Sequence, residues 1–258
     1  MEVLETFFPK KVSKYLLFLF PSLFIGVSEV AKVYFVSAGA GDLGLITVRG
    51  QGLLESSGVV IYAGSLVNPL LMQDISAEVY DSAGMTLDEI IEVMKSAINE
   101  GKDVVRLHTG DTAFYSAISE QIRRLKDIGI AYEVIPGISA AQAGFALLGY
   151  DFSVPIKESA VIYTRLEGRT PVPEKEKLGD LSKHSAVMAV FLSAGMIEKV
   201  AAELINGYNK DTPVCVIQKV SWDDEKVVYG TVNDIADKVK AANITKTAII
   251  LVGVGSGR

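Results

Sequence analysis

Between Lys32 and Ile135 short, mostly apolar runs alternate with helical patterns, and two of the runs pass at once into a turn of glycine and aspartate. No other feature restricts the fold as much. Strands separated by helical segments need crossover connections, and these build a largely parallel sheet covered on both faces. The first turn reads Ser37-Ala38-Gly39-Ala40-Gly41-Asp42 and the second His108-Thr109-Gly110-Asp111. In open α/β sheets, ligands bind outside the carboxyl ends of the strands. Both turns are therefore expected to face one crevice.

The pattern predicts strands at Lys32–Ala38, Val59–Ala63, Glu78–Asp81, Asp103–Leu107 and Ala131–Ile135. Helices are predicted over Leu45–Ser57, Thr86–Asn99, Ala113–Asp127 and Ser139–Leu148. Thr86 and Glu89 have capping-box spacing, and Gly101 stops that helix. The Ala- and Gly-rich Ser139–Leu148 allows close backbone approach, which suits a domain junction. Beyond Asp151 the order changes. Strands are expected at Ala160–Arg165, Ala186–Leu192, Val214–Val220, Lys226–Tyr229 and Thr247–Val254, with helices at Met196–Ile205 and Thr231–Ala241. The neighbouring runs at Val214 and Lys226 suggest an antiparallel pair, hence a mixed sheet. The expectation is two α/β domains, 32–149 with a largely parallel sheet and 150–258 with a mixed one, and the active site in the cleft between them.

Residues 1–31 fit neither domain. Lys10, Lys11 and Lys14 precede an apolar run from Tyr15 to Val27 that Pro21 interrupts. The run is shorter than the about 20 residues a membrane-spanning helix needs. It resembles a signal peptide, but Glu29 spoils the small-residue cleavage pattern. The plainer expectation is an apolar extension lying on the fold, with no membrane partner and a cytoplasmic location.

Charge and composition remove several functions. With 25 Lys and Arg against 31 Asp and Glu, the chain lacks the basic excess that binding to nucleic-acid phosphates requires. Its one cysteine, Cys215, lies mid-strand, so a disulfide framework is excluded and the thiol reads as core. Two histidines and one cysteine cannot supply a typical structural zinc site, and no protein-bound metal is expected. His184 sits in a polar loop, no Gly-x-Ser-x-Gly elbow occurs, and a nucleophile–base pair is hard to assemble. Asp42 and Asp111 are conceivable as paired carboxylates, but sequence spacing cannot set their separation.

Gly39-Ala40-Gly41-Asp42-Leu43-Gly44 matches the dinucleotide fingerprint after a strand. Its context does not. No acidic residue ends the second strand, which reads Ile61-Tyr62-Ala63-Gly64, and Asp42 would set a carboxylate where a pyrophosphate should lie. An NAD(P) oxidoreductase thus stays only as an alternative, beside a binding module without turnover. The stretch Thr164-Arg165-Leu166-Glu167-Gly168-Arg169-Thr170-Pro171-Val172-Pro173-Glu174 reads as a shaped loop whose arginines suit carboxylates, or as a surface loop with local ion pairs.

These motifs, with Tyr62-Ala63-Gly64-Ser65-Leu66-Val67-Asn68-Pro69, Pro136-Gly137-Ile138-Ser139 and Thr247-Ala248-Ile249-Ile250, stand in an order that resembles the tetrapyrrole (precorrin) methyltransferases. The likeness runs from about Lys32 to Gly253. It implies S-adenosylmethionine as methyl donor, S-adenosylhomocysteine as product, an anionic tetrapyrrole substrate and a homodimer. Within the family it points to methylation of ring carbon 11 of cobalt-precorrin-4 or precorrin-4, in cobalamin biosynthesis. Another ring position is the alternative. Donor contacts carry over to Gly110, Asp111, Phe114, Ser139, Ala140, Leu192, Val220, Thr247 and Ala248. Asp42, His108, Arg165 and Arg169 would lie toward the substrate, and no catalytic side chain is assigned. The chain departs from the family pattern at Ala40, Leu43 and Thr112, where prolines are common, and at Gly64, where aspartate is expected. These loops are therefore expected to be less rigid.

Overall fold

The computed structural model describes residues 30–152, 160–168 and 170–254. The extension expected at 1–31 lies outside the described residues except for its last two, and so does Arg169.

The first half contains β1 (Val33–Ser37), α1 (Val48–Ser56), β2 (Val59–Tyr62), β3 (Glu78–Asp81), α2 (Leu87–Asn99), β4 (Val104–His108), α3 (Ile118–Asp127), β5 (Tyr132–Ile135) and α4 (Ala140–Leu147). Its strands form a five-stranded sheet in the order β3-β2-β4-β1-β5, parallel throughout. The central strands β1 and β4 are buried at every residue, as expected of strands with helices on both faces. Leu54 of α1 packs on one face with Val36, Val60 and Leu107. Ile90, Ile91 and Met94 of α2 and Leu125 of α3 pack on the other with Phe35 and Ile61. The Thr86–Glu89 capping box forms at the start of α2.

The second half contains β6 (Val161–Arg165), α5 (Leu178–Ser182), β7 (Val187–Phe191), α6 (Ile197–Leu204), β8 (Pro213–Gln218), β9 (Lys226–Thr231), α7 (Ile235–Ala241) and β10 (Ala248–Val252). The order is β6-β7-β10-β8-β9. Only β6 and β7 run parallel, while β10 is antiparallel to both neighbours and β8 to β9. The sheet is mixed, as expected.

Four expectations need correction. The predicted helix at Ala113 begins only at Ile118, because Tyr115 and Ala117 adopt left-handed backbone angles, φ 59° and 53°. The helix after the first turn starts at Val48, where the Thr47 hydroxyl accepts from the Gly50 amide at 3.0 Å. The helix predicted from Thr231 starts four residues later, since Thr231 is the last residue of β9; the Asp234 carboxylate accepts from the Thr231 amide at 2.7 Å. Finally, α5 forms where no helix was predicted.

The small-residue helix α4 follows the first sheet in sequence but packs on the second. Ala141 and Phe145 join one buried cluster with Val187, Ala189, Ile217, Ile249 and Leu251. A methyl group added at Gly144 would come within 3.0 Å of Leu251 Cδ1 and 3.2 Å of Ile217 Cδ1. Glycine suits that position by proximity, since any side chain there would need Leu251 and Ile217 to give by a few tenths of an ångström.

Candidate functional site

The strand order sets the place of the site. From β1 the chain moves toward β2 over one face; from the adjacent β4 it moves toward β5 over the other. This is the topological switch point, outside whose strand ends an open α/β sheet forms a crevice. The two glycine turns meet there. The Gly110 amide donates to Gly39 O at 2.7 Å, and the Gly39 amide donates to Gly110 O at 3.2 Å.

The second turn is held from within its own half. Both Asp111 carboxylate oxygens accept backbone amides at 2.7 Å, one from Ala113 and one from Gly137. The staple joins the loop after β4 to the loop after β5. Buried Ser37 completes it, since its hydroxyl donates to Ile135 O at 2.9 Å and accepts from the Thr112 amide at 3.0 Å. A proline at 112 would have no amide to give. The expected loss of rigidity is thus offset at that position by a hydrogen bond that only a non-proline residue can make. Gly110, with φ 64°, leaves the space beside Ser139 and Ala140 open: an added Cβ would lie 3.8 Å from Ser139 Cα. The Ser139 side chain is buried and joined to Gln142 in the capping box that opens α4.

The first turn is held from both halves. Trp222 Nε1 donates to Ala40 O at 3.0 Å, Asn68 Nδ2 donates to Gly41 O at 3.0 Å, and the Asp42 amide donates to Ser221 Oγ at 3.0 Å. The Gly44 amide donates to the Asp42 carboxylate at 2.7 Å. The amides of Gly39, Asp42 and Gly44 are therefore committed within the protein. A pyrophosphate site needs such amides free and a helix opening directly behind them, and neither condition holds. Asp42 itself is exposed. At Gly64, which lacks the expected acid, the Asp81 carboxylate stands 3.1 Å from where a Cβ would be.

The second sheet presents an edge to these turns. Arg165 ends β6 beside Phe191 at the end of β7, and Ala248 begins β10 opposite Gln218. Leu192, Lys219 and Thr247 at this edge all have positive φ, 55°, 51° and 52°, at a cost of roughly 1–3 kcal/mol each that clusters at ligand sites. Leu192 is 69% exposed. Phe114 reaches across from the first half: its ring lies 4.9 Å from Tyr163 and stacks on Phe191 at 5.9 Å, with Tyr115 5.4 Å from Phe191. The left-handed residues that delay α3 are what carry these rings over. Val220 and Ser139 are buried side chains.

His108 does not reach the crevice, which corrects its expected place on the substrate side. By strand alternation it shares a face with Val104 and Arg106. It is 5% exposed, and its ring lies 6.2 Å from Phe35. Burial, and secondarily the Arg106 charge, presses the imidazole down to about 3, so it is neutral at pH 7, and its Nε2 has no hydrogen-bond partner. Buried Arg106 donates to Gln121 Oε1 and Ile61 O, both at 3.2 Å. The Arg165 guanidinium is wrapped by its own loop: Nη1 donates to Thr170 O and Nη2 to Pro171 O, each at 2.9 Å. Burial pushes the Cys215 thiol up to about 12, consistent with a core role. Among the described residues, no group of three or more His, Cys, Asp or Glu is arranged to hold a metal ion. No helix among them is long and apolar enough to cross a membrane.

Sequence reasoning missed Ser37, Ser221 and Trp222. Trp222 had a legible signal: the chain's single tryptophan stands in the polar stretch Ser221-Trp222-Asp223-Asp224-Glu225, an unusual place for a large ring without a surface to cover.

Known proteins extend this picture. The family described as Tetrapyrrole (Corrin/Porphyrin) Methylases matches residues 32–236. The cobalt-precorrin-4 C(11)-methyltransferase of Methanocaldococcus jannaschii is 54% identical over 225 residues, 86% of this chain and 87% of that protein. A solved cobalt precorrin-4 methyltransferase, described as a cobalamin biosynthetic enzyme, superposes with a TM-score of 0.85 at 45% identity, covering 89% of this chain and 98% of the other. The uroporphyrin-III C-methyl transferase of Thermus thermophilus, solved with S-adenosyl homocysteine, shares the fold with a TM-score of 0.73 at 22% identity, covering 86% and 97%.

Proposed function

The chain belongs to the tetrapyrrole (corrin/porphyrin) methylase family, and from that membership we propose that it transfers the methyl group of S-adenosylmethionine to ring carbon 11 of cobalt-precorrin-4 in cobalamin biosynthesis. The observation that carries this reading is the relation to the Methanocaldococcus jannaschii enzyme of that activity over most of both chains.

The residues at the crevice fit such a donor. Gly110 leaves room against Ser139 and Ala140, and Leu192 offers exposed apolar surface beside Phe114 and Phe191. In this reading Gly110, Phe114, Ala140, Leu192, Thr247 and Ala248 line the donor side. Asp111, Ser139 and Val220 hold that lining in place. Asp42 and the Arg165–Arg169 loop face the macrocycle, whose acidic side chains suit guanidinium groups. When bound, S-adenosylmethionine carries a methyl on a sulfonium, electrophilic without a protein nucleophile. A reduced tetrapyrrole carbon is enamine-like, so little acid–base help is needed. The protein's contribution is then placement and exclusion of water: the stapled turns fix one wall, and the aromatic contact closes the other. The enzyme is read as a cytoplasmic homodimer.

Incubation with methyl-labelled S-adenosylmethionine and cobalt-precorrin-4, beside metal-free precorrin-4, tests this. The expected product carries the label at carbon 11 by NMR. Label at another ring carbon would reassign the position. Calorimetry showing NAD(P)H bound and S-adenosylhomocysteine ignored would overturn the reading.

A further inference from the structure

The loop between β8 and β9 reaches out of its own sheet to grip the first glycine turn. Three residues in succession are engaged: Ala40 by its carbonyl with Trp222, Gly41 by contact, and Asp42 by its amide with Ser221. Gly41 lies so close under the indole that an added methyl would come within 2.0 Å of Trp222 Cδ1. The loop is built to hold this position. Lys219 and Ser221 are non-glycine residues at φ 51° and 67°, a strained state that persists only where surrounding contacts over-determine it. Those contacts are present. The Trp222 amide donates to Lys219 O at 2.9 Å, the Ser221 amide to the Glu225 carboxylate at 2.7 Å, and the Lys219 ammonium sits 5.3 Å from the indole centroid while pairing with Asp224 at 2.5 Å. At its base, the Lys219 amide donates to Thr247 O at 2.8 Å. One short loop thus connects the edge at Thr247 with the backbone that aims Asp42.

We propose that Ser221 and Trp222 are positioning residues: they set the Asp42 turn for the tetrapyrrole and tie its placement to the donor-side edge at Thr247. The proposal rests on the methyltransferase reading insofar as it has Asp42 face the substrate. Its chemistry is specific, since the grip acts on backbone atoms and leaves the Asp42 carboxylate outward.

The test compares Trp222→Phe, which keeps a smaller ring near Gly41 and deletes the N–H donor, with Ser221→Gly, which deletes the hydroxyl at an angle glycine adopts freely. In each variant the KM for cobalt-precorrin-4 is expected to rise about three- to tenfold, the equivalent of one neutral hydrogen bond. S-adenosylhomocysteine affinity should stay within about twofold by calorimetry. Amide hydrogen exchange should quicken over residues 38–45 and nowhere in β10. An unchanged KM in both variants, a parallel loss of donor affinity, or unaltered exchange in 38–45 would overturn the proposal. Should the wild-type chain bind S-adenosylhomocysteine yet leave cobalt-precorrin-4 unmethylated, the functional reading falls, and the exchange result still decides the positioning role.

Discussion

The turn after β1 and the turn after β4 are both glycine–aspartate steps at the ends of buried parallel strands, and they bond to each other through Gly39 and Gly110. Their support is opposite in kind. The Asp111 side chain turns inward and binds two amides of its own half. The Asp42 side chain stays exposed, and its turn is fixed by Ser221 and Trp222 from the other half. A turn whose aspartate is consumed by structure forms part of the first half's folded state. A turn whose aspartate is exposed, binding only the Gly44 amide, owes much of its position to how the two halves meet. The same dipeptide step therefore serves as a fixed wall in one place and an adjustable one in the other.

The most severe break in this comparison is Asp111→Ala. Two charge-assisted hydrogen bonds to amides disappear, and each contributes roughly 1.5–3 kcal/mol. Urea unfolding should show a loss of about 3–5 kcal/mol, with S-adenosylhomocysteine affinity lowered as well. A loss under about 1 kcal/mol would mean that the second turn does not depend on its aspartate.

His108→Phe sharpens the same point at the root of that turn. The folded-state pKa of His108 is lowered, so between pH 6.5 and about 3 the unfolded chain binds the extra proton. Stability from keeping the imidazole neutral is full above the unfolded value and declines as pH falls toward the folded one. Wild type should lose on the order of 2 kcal/mol more than the Phe variant between pH 7 and pH 5. Equal slopes in paired denaturation curves would place His108 in contact with water. The smallest stability effect is expected from Asp42→Ala, about 0.5–1 kcal/mol for one exposed amide contact, together with a raised KM for the tetrapyrrole. If Asp42→Ala destabilised the chain as much as Asp111→Ala, the contrast between the turns would vanish.

The alternation of strands and helices, the parallel first sheet and the β8–β9 pairing were legible because apolar periodicity reports which faces are covered. The convergence of the two turns followed from strand order. The late start of α3 was not legible: Phe114-Tyr115 looks helical in composition, and the left-handed angles at Tyr115 and Ala117 accompany ring contacts with Tyr163 and Phe191 on the other half. His108 looked accessible since it borders a turn, yet strand alternation turns it inward. Arg165 was read as facing carboxylates, and what the sequence did not show is that its Nη groups also close their own loop through Thr170 and Pro171. In each case the deciding partner is remote in sequence, or is a backbone carbonyl that no residue pattern advertises.

The seat of α4 has a consequence for how this chain can be divided. A cut after Gly149, where composition changes, would send Ala141 and Phe145 away with the first sheet and bare the apolar side of Ile217 and Leu251 on the second. Both fragments would then be sticky. Severing instead in the stretch just past Pro136-Gly137 would keep the helix with the layer it covers, so split-protein reassembly or circular permutation of this enzyme belongs at that earlier joint.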